Sequence, residues 1–272
     1  MIAVPQIDTL SALPRQALDI VAGFSLCFAR VRLMILVLPP ITRLGLTGLQ
    51  KTALSIAIAL PVQPVMLEDV ALLHLQGLQL MLLIVKEGAV GLALGIAIAV
   101  PFWIVETMGE LIDQQRASQS AVVQDPGNAS PAGITATLFI LVLCLIFFQA
   151  GGMDHLIAGF LTSYQIWPAS QLTPVFAPHS MAMFVALFDH VLSAGFTLAG
   201  PLLGAMVLGE LGLALVSRIA PQLNVFDLSM AMKGIIFVLG MPLSLSLMLT
   251  SFREALAPLM HMTQYLRSFV AG

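Results

Sequence analysis

Charge is scarce in this chain. Asp, Glu, Lys and Arg together make up 9% of its 272 residues, against roughly 25% in soluble domains. A chain of this size cannot cover a water-facing surface with so few charges, which excludes a soluble enzyme. The formal net charge of −3 leaves no basic excess, so a nucleic-acid partner is excluded as well. Cysteine is nearly absent, with two residues. Cys27 and Cys144 lie far apart within apolar runs and read as buried thiols. The five histidines are scattered, with no HxxxH or CxxC spacing, and no metal or cofactor is expected. A basic n-region is missing too, since Asp8, Arg15 and Asp19 interrupt the start. The first apolar run is therefore expected to stay in the protein rather than to act as a cleaved leader.

What the chain does have is hydrophobicity: 59% apolar residues and a mean hydropathy of +1.00. Its natural surroundings are lipid or other apolar helices. Six apolar helical segments are predicted, at about 17–38, 46–63, 70–116, 132–150, 180–218 and 228–252. Pro39-Pro40, Pro61/Pro64 and Gly151-Gly152 close three of them. A polar, proline-rich stretch is expected after residue 150, with Pro168, Pro174 and Pro178, and a short amphipathic tail at the end. No β-type alternation competes, so the fold class is all-α, a polytopic membrane-type protein. The third and fifth segments run to nearly twice the ~20 residues that cross a bilayer core. Each holds a proline, Pro101 or Pro201, expected to kink or break it. Basic residues are divided between both sets of loops, so charge does not set an orientation.

Several charges lie where lipid would forbid them: Arg30 and Arg32, Lys86 and Glu87, Asp189 with His190, and Glu210. A central charge costs about 2.5–3.5 kcal/mol on insertion scales, so these groups are expected to face protein or water and to find partners. Gly88, Gly91, Gly95 and Ala99 form one stripe at 3.6 residues per turn, with Gly91 and Gly95 in GxxxG spacing, which marks a packing seam. Glu106, Glu110 and Asp113 continue that stripe if the helix passes Pro101 without a large rotation. They read as a solvated end or as a charged mouth. Asp189, Ser193, Thr197, Gly200 and Gly204 make a similar stripe on the fifth segment. A catalytic triad of Asp189, His190 and Ser193 is discounted, because one helix cannot aim three such neighbours at one atom and no nucleophile elbow is present. The run Gln115, Arg116, Ala117, Ser118, Gln119, Ser120, Ala121, Val122, Val123 is small, polar and uncharged across its centre. It reads as a surface loop or as a filling for a narrow channel.

These motifs converge on a resemblance. Arg30/Arg32 precede Pro39-Pro40 and Arg43, and the long third segment ends in Glu110-x-x-Asp113-Gln114-Gln115-Arg116, then Asp125-Pro126. Later come Glu210-Leu211-Gly212-Leu213, Arg218-Ile219-Ala220-Pro221-Gln222-Leu223-Asn224-Val225-Phe226 and Lys233. Over about 15–255 the chain resembles the FliR/SctT (YscT/SpaR-like) family, an export-apparatus subunit of bacterial type III secretion. Leu228-Ser229-Met230 before Lys233 looks more like the virulence (injectisome) branch than the flagellar one. Ala117 stands where many relatives are expected to carry glycine.

The resemblance implies a non-enzymatic subunit in the bacterial inner membrane, partly raised to the periplasmic side. It implies five copies of a FliP/SctR-type subunit and four of a FliQ/SctS-type subunit as partners, with a FlhB/SctU-type switch protein and needle or inner-rod proteins. The chain would be a single helical domain over 1–272, FliP/SctR-like to about 178 and FliQ/SctS-like over about 179–256. Residues 115–123 would be the pore plug, and Glu106, Glu110 and Asp113 the charged mouth. Arg30, Arg32, Lys86, Glu87, Gly91, Gly95, Asp189, Glu210, Arg218, Gln222, Asn224 and Lys233 are expected at subunit interfaces. The rival reading is an ion- or proton-coupled secondary transporter using Glu87, Asp189 or Glu210.

Overall fold

A computed structural model describes residues 15–64, 77–116, 123–124, 131–171, 180–220, 222 and 224–260. The first helix, α1 (Arg15–Val37), stops where proline demands it. Leu38 precedes Pro39 and is extended, at φ −76° and ψ 111°, as a pre-proline residue prefers. Pro39 and Pro40 then open the single turn α2 (Pro39–Thr42), where a missing N–H costs nothing. Gly45 at φ 68° turns the chain. Thr47 caps α3 (Gly48–Ala59) with a reciprocal box: its hydroxyl accepts from Gln50 N, and the Gln50 side chain accepts from Thr47 N. This is the pattern that T-x-x-Q encodes. A 3₁₀ turn, Leu60–Val62, ends the element.

The central rod is α4 (Gly77–Gln115), 39 residues long, about 58 Å at 1.5 Å per residue. Pro101 lies inside it and does not break it. A two-residue antiparallel ladder follows, β1 (Val123–Gln124) with β2 (Pro131–Ala132), pairing Val123 with Ala132 and Gln124 with Pro131. Next are α5 (Ile134–Gln149) and α6 (Gly152–Ile166), which meet at 74°. Gly151 makes that corner in the left-handed region at φ 71°, where other residues are strained. The chain ends in two long helices, α7 (Ser180–Ile219) and α8 (Val225–Met260). Pro201 lies within the unbroken α7.

Among the described residues, four helices are long and apolar enough to cross a membrane, and the bent α5–α6 pair makes five if counted as one span. The protein is an all-α polytopic membrane protein, as its composition predicts. One expectation is corrected: the stretch after residue 150, expected to be polar and proline-rich, begins with the helix α6. Leu156, Phe160 and Tyr164 are buried on one α6 face, and four-residue spacing places them on consecutive turns. The last helix also continues beyond 252, to Met260.

The two largest apolar cores are strung along α4. The first joins Val90, Leu94 and Ile98 of α4 to Val31, Met34 and Ile35 of α1, to Ile58 of α3 and to Leu156 and Phe160 of α6. The second joins Phe102, Met108 and Ile112 to Phe139 and Phe147 of α5, Met206 of α7 and Met248 and Phe252 of α8. Pro101 falls between them. Of the most apolar stretch of each helix, 72% is buried in α4 but 28% in α7 and 22% in α8. The α7–α8 hairpin is therefore the least covered of the membrane-length helices, with Phe196, Leu208, Leu211, Leu239 and Leu243 exposed.

Candidate functional site

The charges that lipid would reject gather in two places along α4. In the first, Arg30 of α1 is fully buried and grips Glu87 of α4 side-on. Its Nε donates to Oε2 at 2.5 Å and its Nη2 to Oε1 at 3.0 Å. The same guanidinium donates from Nη1 to Ser163 Oγ at 2.8 Å and from Nη2 to the Trp167 carbonyl at 2.8 Å. Its Cζ lies 3.8 Å from the Tyr164 ring centroid, a cation–π contact. Lys86 completes the cluster. Its Nζ is 2.5 Å from Glu87 Oε1 and donates to the carbonyls of Pro168 and Ala169 at 3.0 and 3.3 Å. One carboxylate and two cations thus fasten α1, α4 and the end of α6.

Gly91 and Gly95 make this approach possible. A Cβ on Gly91 would lie 2.0 Å from the Arg30 carbonyl oxygen, and one on Gly95 2.7 Å from that of Met34. The glycine stripe is a packing seam, as its spacing predicts, and the helix it receives is α1 of the same chain. Arg30, Lys86, Glu87, Gly91 and Gly95, expected to meet other subunits, all find neighbours within the chain. Arg32 is half-buried, and its Nη1 has no hydrogen-bond partner among the described residues.

The second cluster lies at the far end of α4. Glu106 pairs with Arg43 of the α2–α3 connection. Glu110 Oε1 accepts from Gly133 N at 3.1 Å. Asp113 is buried, and its Oδ2 accepts from Thr135 N at 2.8 Å and Ala136 N at 3.2 Å, while its Oδ1 accepts from Thr135 Oγ1 at 2.6 Å. These amides belong to the first turn of α5, where N–H groups lack helical partners and a negative charge is favoured. Gly133 leaves room for the carboxylate, since a Cβ there would lie 2.2 Å from Asp113 Oδ2. The three acids expected to form a charged mouth are thus each engaged inside the chain, two of them in capping α5.

Gln115 and Arg116, first of the nine plug residues, close this cluster. Gln115 Nε2 donates to Glu210 Oε2 at 3.4 Å, and Glu210 pairs with Lys233 Nζ at 3.1 Å. Arg116 Nη1 donates to Thr135 Oγ1 at 3.3 Å and lies 3.9 Å from Asp113 Oδ1. Its Cζ is 4.0 Å from the Phe237 ring centroid. Ala117, Ser118, Gln119, Ser120, Ala121 and Val122 lie outside the described residues, and Val123 opens β1.

The remaining interface residues face outward. Asp189, Arg218, Gln222 and Asn224 are exposed, and Asn224 Nδ2 donates to Asp227 Oδ2 at 2.5 Å. Gly200 and Gly204 on the Asp189 stripe have nothing within 4 Å of an added Cβ. The stripe borders a cleft of about 520 Å³ between α4, α7 and α8, lined by Pro101, His190, Thr197 and Met248.

The family model described as "Bacterial export proteins, family 1" matches residues 21–259, which include both charge clusters and the open hairpin. The chain belongs to this family. Among its relatives is the Yop proteins translocation protein T of Yersinia pestis, 35% identical over 214 residues, covering 78% of this chain and 82% of that one. The surface presentation of antigens protein SpaR of Salmonella typhimurium is 31% identical over 228 residues, 84% of each chain. The flagellar biosynthetic protein FliR of Bacillus subtilis is 32% identical over 155 residues, 56% of this chain and 60% of that one. The FliR/SctT resemblance of the sequence is thereby shown, and the match to YscT- and SpaR-type proteins fits the virulence branch. Sequence reasoning about this export protein missed Ser163, Tyr164, Trp167, Thr135 and Phe237 as partners of its charges. The spacing of Phe160, Tyr164 and Trp167 ahead of Pro168 held a signal of a packed helix end.

Proposed function

We propose that this chain is the structural and gating subunit of a type III secretion export gate in the bacterial inner membrane. With unlike partner subunits it forms the pore through which unfolded substrate proteins pass. The supporting observation is the uncovered α7–α8 hairpin. Its apolar faces, its open glycines Gly200 and Gly204 and the exposed Asp189 have no cover among the described residues, whereas the α1–α4 seam is closed internally. Polar groups beside apolar helices are costly unless partners are supplied. FliP/SctR- and FliQ/SctS-type subunits, in the family's five and four copies, and a FlhB/SctU-type switch protein would supply them, and needle or inner-rod proteins would take the exported chain onward. In this reading residues up to about 178 are the FliP/SctR-like part and about 179–256 the FliQ/SctS-like part, and the complex is partly raised to the periplasmic side. Arg32, Asp189, Arg218, Gln222 and Asn224 contact other subunits.

The transporter alternative finds no support: the matching family is one of bacterial export proteins, and Glu87 and Glu210, two of the three acids it would use beside Asp189, are committed to ion pairs. Gating rests on residues 115–123, a small polar segment leaving α4 at an anchored end, and acts by steric sealing that an arriving chain opens. Deletion of 116–123 is expected to give a complex that assembles and leaks small ions. A deletion complex that assembles and stays tight at rest would remove the gate assignment.

A further inference from the structure

Arg30 and Arg32 lie on opposite sides of α1. The backbone at Arg30 and Met34 is received by Gly91 and Gly95 of α4. Arg32 stands about 200° round the helix from Arg30, away from that seam. It shares its face with Val21, Ser25, Ala29 and Leu36, which recur at steps of three or four residues. Val21 and Leu36 are exposed, and Ser25 and Ala29 are half-buried. Arg32 is half-buried too, and its Nη1 is shut off from solvent without a hydrogen-bond partner among the described residues. Acids elsewhere in the chain are already engaged: Glu87 holds Arg30 and Lys86, and Glu106 holds Arg43.

The depth of Arg32 decides what chemistry answers it. The stretch Ala17–Val37 is long and apolar enough to cross a membrane. Arg32 lies inside it, about 7.5 Å short of the Val37 end at 1.5 Å per residue. Helical side chains lean toward the helix N-terminus. For Arg32 that direction runs toward the middle of the span and away from the nearer layer of lipid phosphates. A cation placed there needs a counter-charge from protein. Ala29 and Ser25, about one and two turns back along the same face, are small enough for a neighbouring helix to come close. We infer that this face of α1 is a second subunit contact, remote from the α4 seam. Its occupant is a membrane helix of an unlike subunit that presents a carboxylate to Arg32. This rests on the export-subunit reading and gives one of its contacts a chemistry.

The test uses the full chain co-expressed with export-apparatus subunits, as the Arg32→Gln, Arg32→Glu and Arg32→Lys variants. Two quantities are read: retention of unlike subunits through purification, and the thermal midpoint of the isolated chain. Arg32→Gln and Arg32→Glu are expected to cut retention at least about tenfold, the scale of losing one member of a buried charge pair. The isolated chain's midpoint is expected to hold or rise, because an unpaired cation adds nothing to its fold. Arg32→Lys is expected to retain the subunits, since it still supplies a cation. The Arg32→Lys complex is then treated with a membrane-permeable carbodiimide. The reagent activates a carboxylate, and the introduced amine attacks it to form an amide, releasing the urea. The mass of the joined peptide names the acid, expected on an unlike subunit. Parental retention in Arg32→Gln overturns the inference, as does a midpoint of the isolated chain that falls in that variant. Coupling to Glu68 or Asp69 of the same chain, coupling to a second copy of it, or no coupling at all overturns it too. If the parental chain retains no unlike subunit either, the export-subunit reading itself falls, and this contact with it.

Discussion

Four of the five N–H groups of Arg30 find acceptors on two separate stretches of the chain, α4 and the end of α6, and its flat face rests on Tyr164. Such a group is tolerable away from water only because nearly all its hydrogen-bonding capacity is met. Glu87 carries the negative charge for both Arg30 and Lys86. Glu87→Gln would leave two cations side by side in an apolar core. A loss of about 3–5 kcal/mol is expected, the range for breaking a buried pair. It is read as a lowered thermal midpoint of the purified complex, and an unchanged midpoint would show that the cluster contributes little. The need for this cluster was legible in the sequence, since Arg30, Lys86 and Glu87 interrupt apolar runs. Their partners were not, because the carbonyls of Trp167, Pro168 and Ala169 leave no mark on residue type.

At the scale of elements, the glycine stripes behave differently although their spacings are alike. Gly91 and Gly95 receive α1, with no room for a side chain, whereas Gly200 and Gly204 open onto empty surface. Gly91→Ala is expected to force α1 from α4 and to destabilise the chain by about 1–3 kcal/mol, as overpacking does, with low yield even of the isolated subunit. Gly200→Ala is expected to leave the isolated subunit's thermal midpoint unchanged and to reduce co-purification of partner subunits. If Gly200→Ala lowers the midpoint, or leaves co-purification intact, the stripe does not face a neighbour. Periodicity gave the face of each helix but not what covers it, which explains why residues expected between subunits lie between α1 and α4. The same limit hid α6: Asp154, His155, Thr162 and Ser163 dilute its apolar pattern, and its burial comes from contact with the first core. Pro101 and Pro201 were expected to kink or break their helices. Neither breaks its element, since one missing N–H removes a single bond from a long ladder.

In the whole molecule the seam between the central rod and α1 is closed, and the α7–α8 hairpin is the least covered of the membrane-length helices. Around α4 the two apolar cores and both charge clusters are satisfied within the chain. The α7–α8 hairpin is only sparsely covered. Membership of the bacterial export family fits this asymmetry, since a subunit of a membrane assembly keeps its unmet surface for unlike neighbours. Native mass measurement in mild detergent, after co-expression with candidate export-apparatus subunits, tests this most directly. The predicted result is a heteromeric particle containing this chain and its partners, which loses integrity when the hairpin surface is altered. A stable particle made of this chain alone, as a monomer or a small homo-oligomer while the partners are present, would contradict it.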